Sequence, residues 1–130
     1  MIYRVKHFKL EEFPCPCCGR VKAAAALIFW LDVLRRALGQ PLKINSGFRC
    51  PSRNAAVGGA ASSRHLIGCA ADIAKPLGVE YHVLFQTALR LFGGSAEGWE
   101  VKEYPSRTYI HVGVPREHER ILWEGNEITW

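Results

Sequence analysis

Three residues in this chain have the types and spacing to hold a metal ion. His65 lies in the polar string Ser63-Arg64-His65-Leu66-Ile67-Gly68, and Asp72 follows seven positions later inside the apolar run Ala70-Ala71-Asp72-Ile73-Ala74. A lone carboxylate between Ala71 and Ile73 is costly to bury unless it is paired or bound to metal. A neutral imidazole and a carboxylate are both good zinc ligands. His111 is the third member, in Tyr109-Ile110-His111-Val112-Gly113. Strand alternation turns His111 away from Ile110 and Val112, onto a face that a cleft could use. Three protein ligands with a fourth position open to water form the catalytic rather than the structural zinc pattern.

A second group of soft ligands is also present. Cys15, Cys17 and Cys18 fall within four residues, while Cys50 and Cys69 stand apart. An odd count cannot pair completely within one chain. The cluster suits either a metal or a disulfide to Cys50. The repeated Cys-x-x-Cys pairs of a zinc ribbon are missing, so stabilising disulfides or buried thiols are the expectation.

These residues need a scaffold. Leu27, Leu31, Leu34 and Leu38 recur at helical spacing, and Gly39 followed by Pro41 ends that helix. Residues 42–45 read as a short strand. Residues 46–68 are rich in Gly, Ser, Asn and Arg and read as a long irregular stretch, which is uncommon in a small domain without a function. The Asp72 strand follows. Tyr81, Leu84, Phe85, Ala88 and Phe92 form a second helical stripe, closed by Gly93-Gly94. Residues 99–104 and 108–114 read as a hairpin around Pro105-Ser106, and Trp123 and Trp130 pack the tail across the domain. Helices and an antiparallel sheet without regular alternation predict an α+β fold, a small antiparallel sheet with flanking helices.

Composition narrows the class. The chain has 130 residues, 48% hydrophobic and 22% charged, which fits one globular domain over 1–130 and excludes a wholly disordered or coiled-coil chain. The net charge of +5 is spread along the sequence, with no basic run longer than Arg35-Arg36. Nucleic acid is therefore not the expected partner. The longest stretch free of Asp, Glu, Lys and Arg is residues 54–63, too short for a membrane span of roughly 20 apolar residues. The N-terminus has neither a long apolar core nor a small-residue cleavage site, so synthesis in the cytoplasm without a secretory signal is expected.

Ser63-x-His65-x-x-Gly68-x-Ala70-x-Asp72 resembles the signature of the M15 zinc peptidases, which are D-alanyl-D-alanine carboxypeptidases and related peptidoglycan peptidases. Ile44-Asn45-Ser46-Gly47-Phe48-Arg49-Cys50-Pro51, the segment Asn54 to Ala60 and Tyr109-Ile110-His111-Val112 fit in order. Phe13 to Gly19 is similar to the cysteine-rich opening of small phage and prophage members. The family shares its fold with the signalling domain of hedgehog proteins.

The resemblance implies zinc on His65, Asp72 and His111, and Arg49 near the metal as oxyanion stabiliser. It implies that Ser63 supports the ligand loop or touches substrate. It also implies that Cys15, Cys17 and Cys18 are structural, one of them close to Cys50. Two departures bear on the chemistry. Gly113 stands where the family often has Asp, leaving a hydrogen bond to a ligand missing or supplied elsewhere. Thr108 stands where many members carry the acidic base. A hedgehog-like arrangement points instead to Glu103 as the general base, with Glu100 as the alternative that simple strand alternation sets beside His111. Glu103 reaches the cleft only if a bulge turns it there.

The expected protein is a monomeric zinc peptidase cutting peptidoglycan stem peptide or cross-link, as carboxypeptidase or endopeptidase. It would bind neither nucleic acid nor membrane and would act at the cell wall after release, in the manner of a phage endolysin. The alternative expectation is a non-catalytic, hedgehog-like zinc module of a phage or prophage.

Overall fold

A computed structural model of the chain describes residues 1–93 and 97–129. The elements run β1 (Ile2–Tyr3), α1 (Ala25–Leu38), β2 (Ile44–Ser46), α2 (Pro51–Ala56), β3 (Ala70–Ala74), α3 (Tyr81–Leu91), β4 (Glu100–Glu103), β5 (Tyr109–Gly113) and β6 (Ile128–Thr129). The α+β expectation holds. Four antiparallel strands form one sheet in the order β2-β3-β5-β4, and β1 pairs with β6 in a separate ribbon.

The sheet has two unlike faces, and alternation decides which residues take each. Ala71, Ile73, Ile110 and Val112 are buried together with Leu27, Ile28, Leu31 and Leu34 of α1 and Leu84 and Ala88 of α3. Both helices contribute the apolar stripes their spacing predicts. On the other face β3 and β5 set Asp72 directly opposite His111. The core face thus fixes the strand register, and the register brings two of the candidate ligands together.

The segment over 46–68 is more ordered than its composition predicts. Pro51 starts α2, where its missing N–H costs nothing, and a 3-10 turn over Arg64–Ile67 carries His65. Gly68 ends that turn at φ 73°. A Cβ there would lie 2.4 Å from the Lys22 carbonyl oxygen, so only glycine allows the ligand loop to rest on the chain entering α1. The contact caps α1, because Ala24 N–H donates to Gly68 O (2.9 Å) and Ala25 N–H to Ile121 O (2.9 Å). Gly94 and Trp130 lie outside the described residues. Trp123 is buried, as expected for the tail.

Asp32 went unnoticed in the sequence, yet it is fully buried on α1. Its carboxylate accepts from Tyr3 Oη (2.6 Å) and His7 N–H (3.1 Å), and Arg36 lies 3.5 Å away. These bonds tie the N-terminal segment to α1. Burial, then the bond to Asp32, pushes the Tyr3 hydroxyl up to about 12. Asp32→Ala would leave these donors without their acceptor. A loss of about 2–4 kcal/mol is expected in chemical denaturation.

Candidate metal centre and cleft

Asp72 sits at the middle of β3, 95% buried, with both carboxylate oxygens engaged. Oδ1 lies 3.2 Å from His65 Nε2 and 3.1 Å from His111 Nδ1, and Oδ2 accepts from Arg49 Nη2 at 3.2 Å. Burial alone would raise its pKa, but the bonds from His111 and His65 outweigh burial and hold it well below the usual carboxylate range.

The outer nitrogens of the two histidines set their tautomers. His65 Nδ1 is 2.7 Å from Gly47 O. A carbonyl only accepts, so Nδ1 keeps its proton, and a metal ion displaces any proton that Nε2 shares with Asp72 and meets a lone pair there. His111 Nε2 is 2.8 Å from Glu100 Oε1, and an ionised carboxylate likewise leaves the Nδ1 lone pair facing inward. Three electron-pair donors therefore converge, all three residues are buried, and their ligand atoms lie within 4.8 Å of one another. A tetrahedral site with bonds of ~2.0 Å has ligand-to-ligand edges of ~3.3 Å. The 3.1 and 3.2 Å separations match that edge. Positive charge is stabilised here: burial pushes His111 down, yet its bonds to Asp72 and Glu100 push it up. The donor set fits a zinc ion.

The site opens into a cleft of about 340 Å³ lined by Arg49, Ser63, Arg64, His65, Glu100, Lys102, Tyr104, His111 and Arg116, among others. Arg49 is held at three points: Asp72, Ser46 Oγ (3.0 Å from Nε) and Asn54 Oδ1 (3.4 Å from Nη1). Buried Asn54 in turn donates to Ala60 O at 2.9 Å. Ser63 Oγ accepts from His65 N–H at 3.2 Å and so braces the ligand loop. The cleft is mostly cationic, with Arg49, Arg64, Lys102 and Arg116 against Glu100.

The two glutamates of β4 part company. Lys102 pairs with His111 and Glu100 with Gly113, without a register shift, so no bulge turns Glu103 inward. Glu103 pairs with Ile110 and is exposed, away from the cleft lining. Glu100 shares the cleft face with His111. The bond to His111 overrides burial and brings its carboxyl down to about 2. Gly113 explains why it fits. A Cβ at 113 would lie 2.9 Å from Glu100 Oε1, so the glycine leaves the room this carboxylate fills. The hydrogen bond to the metal-site histidine is thus supplied from the neighbouring strand.

Tyr104, Lys102, Arg64 and Arg116 were not singled out in the sequence. Alternation along β4 could have flagged Lys102, which follows Glu100 by two. Arg64 Nη1 donates to Gly98 O and to Val114 O (3.3 Å). Tyr104 stacks on Tyr109 at 4.1 Å, and burial, then Asp72, pushes its hydroxyl up to about 12.

The five cysteines are all free thiols. Cys15 and Cys69 are buried, whereas Cys17 and Cys18 are exposed. Burial pushes the Cys69 thiol up to about 11. For Cys15, burial also acts upward, but backbone N–H groups of Cys50, Cys18 and Cys17 prevail and bring it down to about 6.

Comparison with known proteins gives two results. A family model described as Peptidase M15 matches residues 6–113. The zinc D-Ala-D-Ala carboxypeptidase of Streptomyces albus G is 44% identical over 62 residues, which cover 42% of this chain and 24% of that protein. The chain thus spans about a quarter of the length of this curated relative.

Proposed function

We propose that this chain, which belongs to the peptidase M15 family, is a zinc-dependent peptidase that cuts the stem peptide or cross-link of bacterial peptidoglycan. The observation that carries the reading is the convergence of His65 Nε2, Asp72 Oδ1 and His111 Nδ1 beside a cleft. These three atoms would hold zinc. When bound, zinc supplies a Lewis acid that acidifies water and polarises the scissile carbonyl. Gly47 O and Glu100 keep both imidazoles in the tautomer that directs a lone pair to the metal.

Glu100 is our choice of general base, because its carboxylate lines the cleft beside His111. Its Oε1 holds His111, and Oε2, in the longer ion pairs to Arg64 at 3.9 Å and Lys102 at 3.7 Å, is the oxygen that would take the proton. The proton then passes to the leaving amine. Arg49, pre-set by Asp72, Ser46 and Asn54, stabilises the oxyanion without reorganising. The cationic cleft suits a peptide bearing free carboxylates, as peptidoglycan stem peptides do. The similarity to a zinc D-Ala-D-Ala carboxypeptidase supports a carboxypeptidase reaction.

We infer a monomeric enzyme acting at the cell wall, with residues 1–130 forming one peptidase domain. The similarity of Phe13 to Gly19 to phage-type members supports release as a lysis enzyme. No helix among the described residues is long and apolar enough to cross a membrane. The test is digestion of purified peptidoglycan with the zinc-loaded protein and identification of the released fragments by mass. Loss of a terminal D-Ala indicates a carboxypeptidase, and separated cross-linked peptides indicate an endopeptidase. Zinc binding without any cleavage would turn the reading to a non-catalytic wall-binding module.

A further inference from the structure

We propose that Cys15, Cys18 and Cys50, completed by Cys17, form a second metal site, a structural thiolate centre for zinc. The three sulfurs lie within 4.8 Å of one another, and the edge of a tetrahedron with Zn–S bonds of ~2.3 Å is ~3.8 Å. Only small side-chain adjustments are needed. Cys17, next to Cys18 in the same turn and exposed, lies outside that set of three and is the remaining thiol of the turn that could close the fourth position.

The backbone is arranged as a thiolate holder. Cys15-Pro16-Cys17-Cys18-Gly19 folds into a tight turn in which Gly19 N–H donates to Cys15 O at 2.8 Å, with Gly19 at φ 72°. Cys15 N–H donates to Arg20 O at 2.8 Å and closes the loop. The Cys50 N–H points at Cys15 Sγ, 3.4 Å away. N–H donors aimed at a buried sulfur stabilise its anionic form, which is the form that binds metal. Two thiols of one short turn plus one from a distant loop match the layout of a structural zinc site. The fifth thiol, Cys69, is buried elsewhere and belongs to the hydrophobic core.

The site would join the N-terminal segment to the loop that serves the cleft. Phe48 N–H donates to Phe13 O (3.0 Å) and Arg49 N–H to His65 O (3.1 Å). The metal therefore clamps residues 47–50, which carry the carbonyl that orients His65 and the cleft arginine.

The experiment is metal analysis of the full chain purified under reducing conditions, together with cobalt substitution. The wild type is expected to carry two metals per chain. Cobalt should give the thiolate-to-metal charge-transfer absorption that His/Asp ligation lacks. Asp72→Ala should keep one metal and that absorption, while Cys18→Ser, at an exposed position, should lose the absorption and keep one metal. Because the absorption is read in Asp72→Ala, failure of the peptidase reading leaves this test intact. A wild type that takes up cobalt with no thiolate absorption overturns the proposal, as does mass analysis showing the four cysteines in disulfides.

Discussion

Asp72→Ala is expected to abolish zinc binding at the His65/His111 site and to lower peptide hydrolysis by at least about 10³-fold, the scale set by losing a single preorganised electrostatic contact. The effect is large because one carboxylate serves three neighbours. Oδ1 meets both histidines, and Oδ2 meets Arg49. Truncation removes the one anionic ligand and leaves a guanidinium largely enclosed, its side chain only 14% exposed. Breaking such a buried pair costs about 3–5 kcal/mol in general, so the melting temperature should fall as well. Asp72→Asn separates the two effects. It keeps the shape and one oxygen but removes the charge, so it should retain more stability than Ala while still binding zinc far more weakly. Zinc content, read beside circular dichroism, decides. Full zinc occupancy in folded Asp72→Ala would remove Asp72 from the ligand set.

Glu100→Gln should reduce turnover by about 10²–10⁴-fold, the usual cost of losing a general base, with zinc retained. Gln still offers an oxygen to His111 Nε2–H, so the imidazole stays oriented, but the amide cannot take a proton. Glu100→Ala removes both functions. Beyond the loss of turnover, its zinc affinity should fall about 10–100-fold, as happens when a ligand histidine loses its outer partner. The contrast between Gln and Ala therefore distinguishes proton transfer from positioning. Glu103→Gln should change little, since Glu103 is exposed and pairs with Ile110 on the other face of the sheet. A large loss in Glu103→Gln with Glu100→Gln near wild type would reverse the assignment.

Much of this arrangement is legible in the amino-acid order. The leucine stripe of α1 and the Tyr81–Phe92 stripe carry strong periodicity, and the core follows from them. Alternation in β5 separates His111 from Ile110 and Val112 without further information. The same rule along β4 ranks Glu100 above Glu103 beside His111. An argument from hedgehog-like spacing ran against that rule and needed a bulge that the continuous β4–β5 pairing does not contain.

Other features could not be seen this way. The β1–β6 ribbon has two residues on each side and joins opposite ends of the chain, too short for any periodic signal. Asp32 interrupts an apolar helix as one charge, and apart from Arg36 its partners are 29 and 25 residues away. The short helix α2 has no stripe at all and is set by Pro51 at its start. The approach of Cys50 to Cys15 depends on the contact between Phe13 and residues 47–48, which is a product of the fold and not of spacing.

The shared space of Gly113 and Glu100 has a consequence for how sequences of this kind are compared. Read one column at a time, position 113 looks like a deletion of function, an acid exchanged for the smallest residue. Across the β4–β5 pair an acid stands opposite position 113, at Glu100, and its carboxylate reaches His111. The two positions are one locus in space. Glu100 already fills that space, so a side chain added at 113 would compete for the same volume. Ancestry inferred for such chains should therefore weigh the pair as a single character.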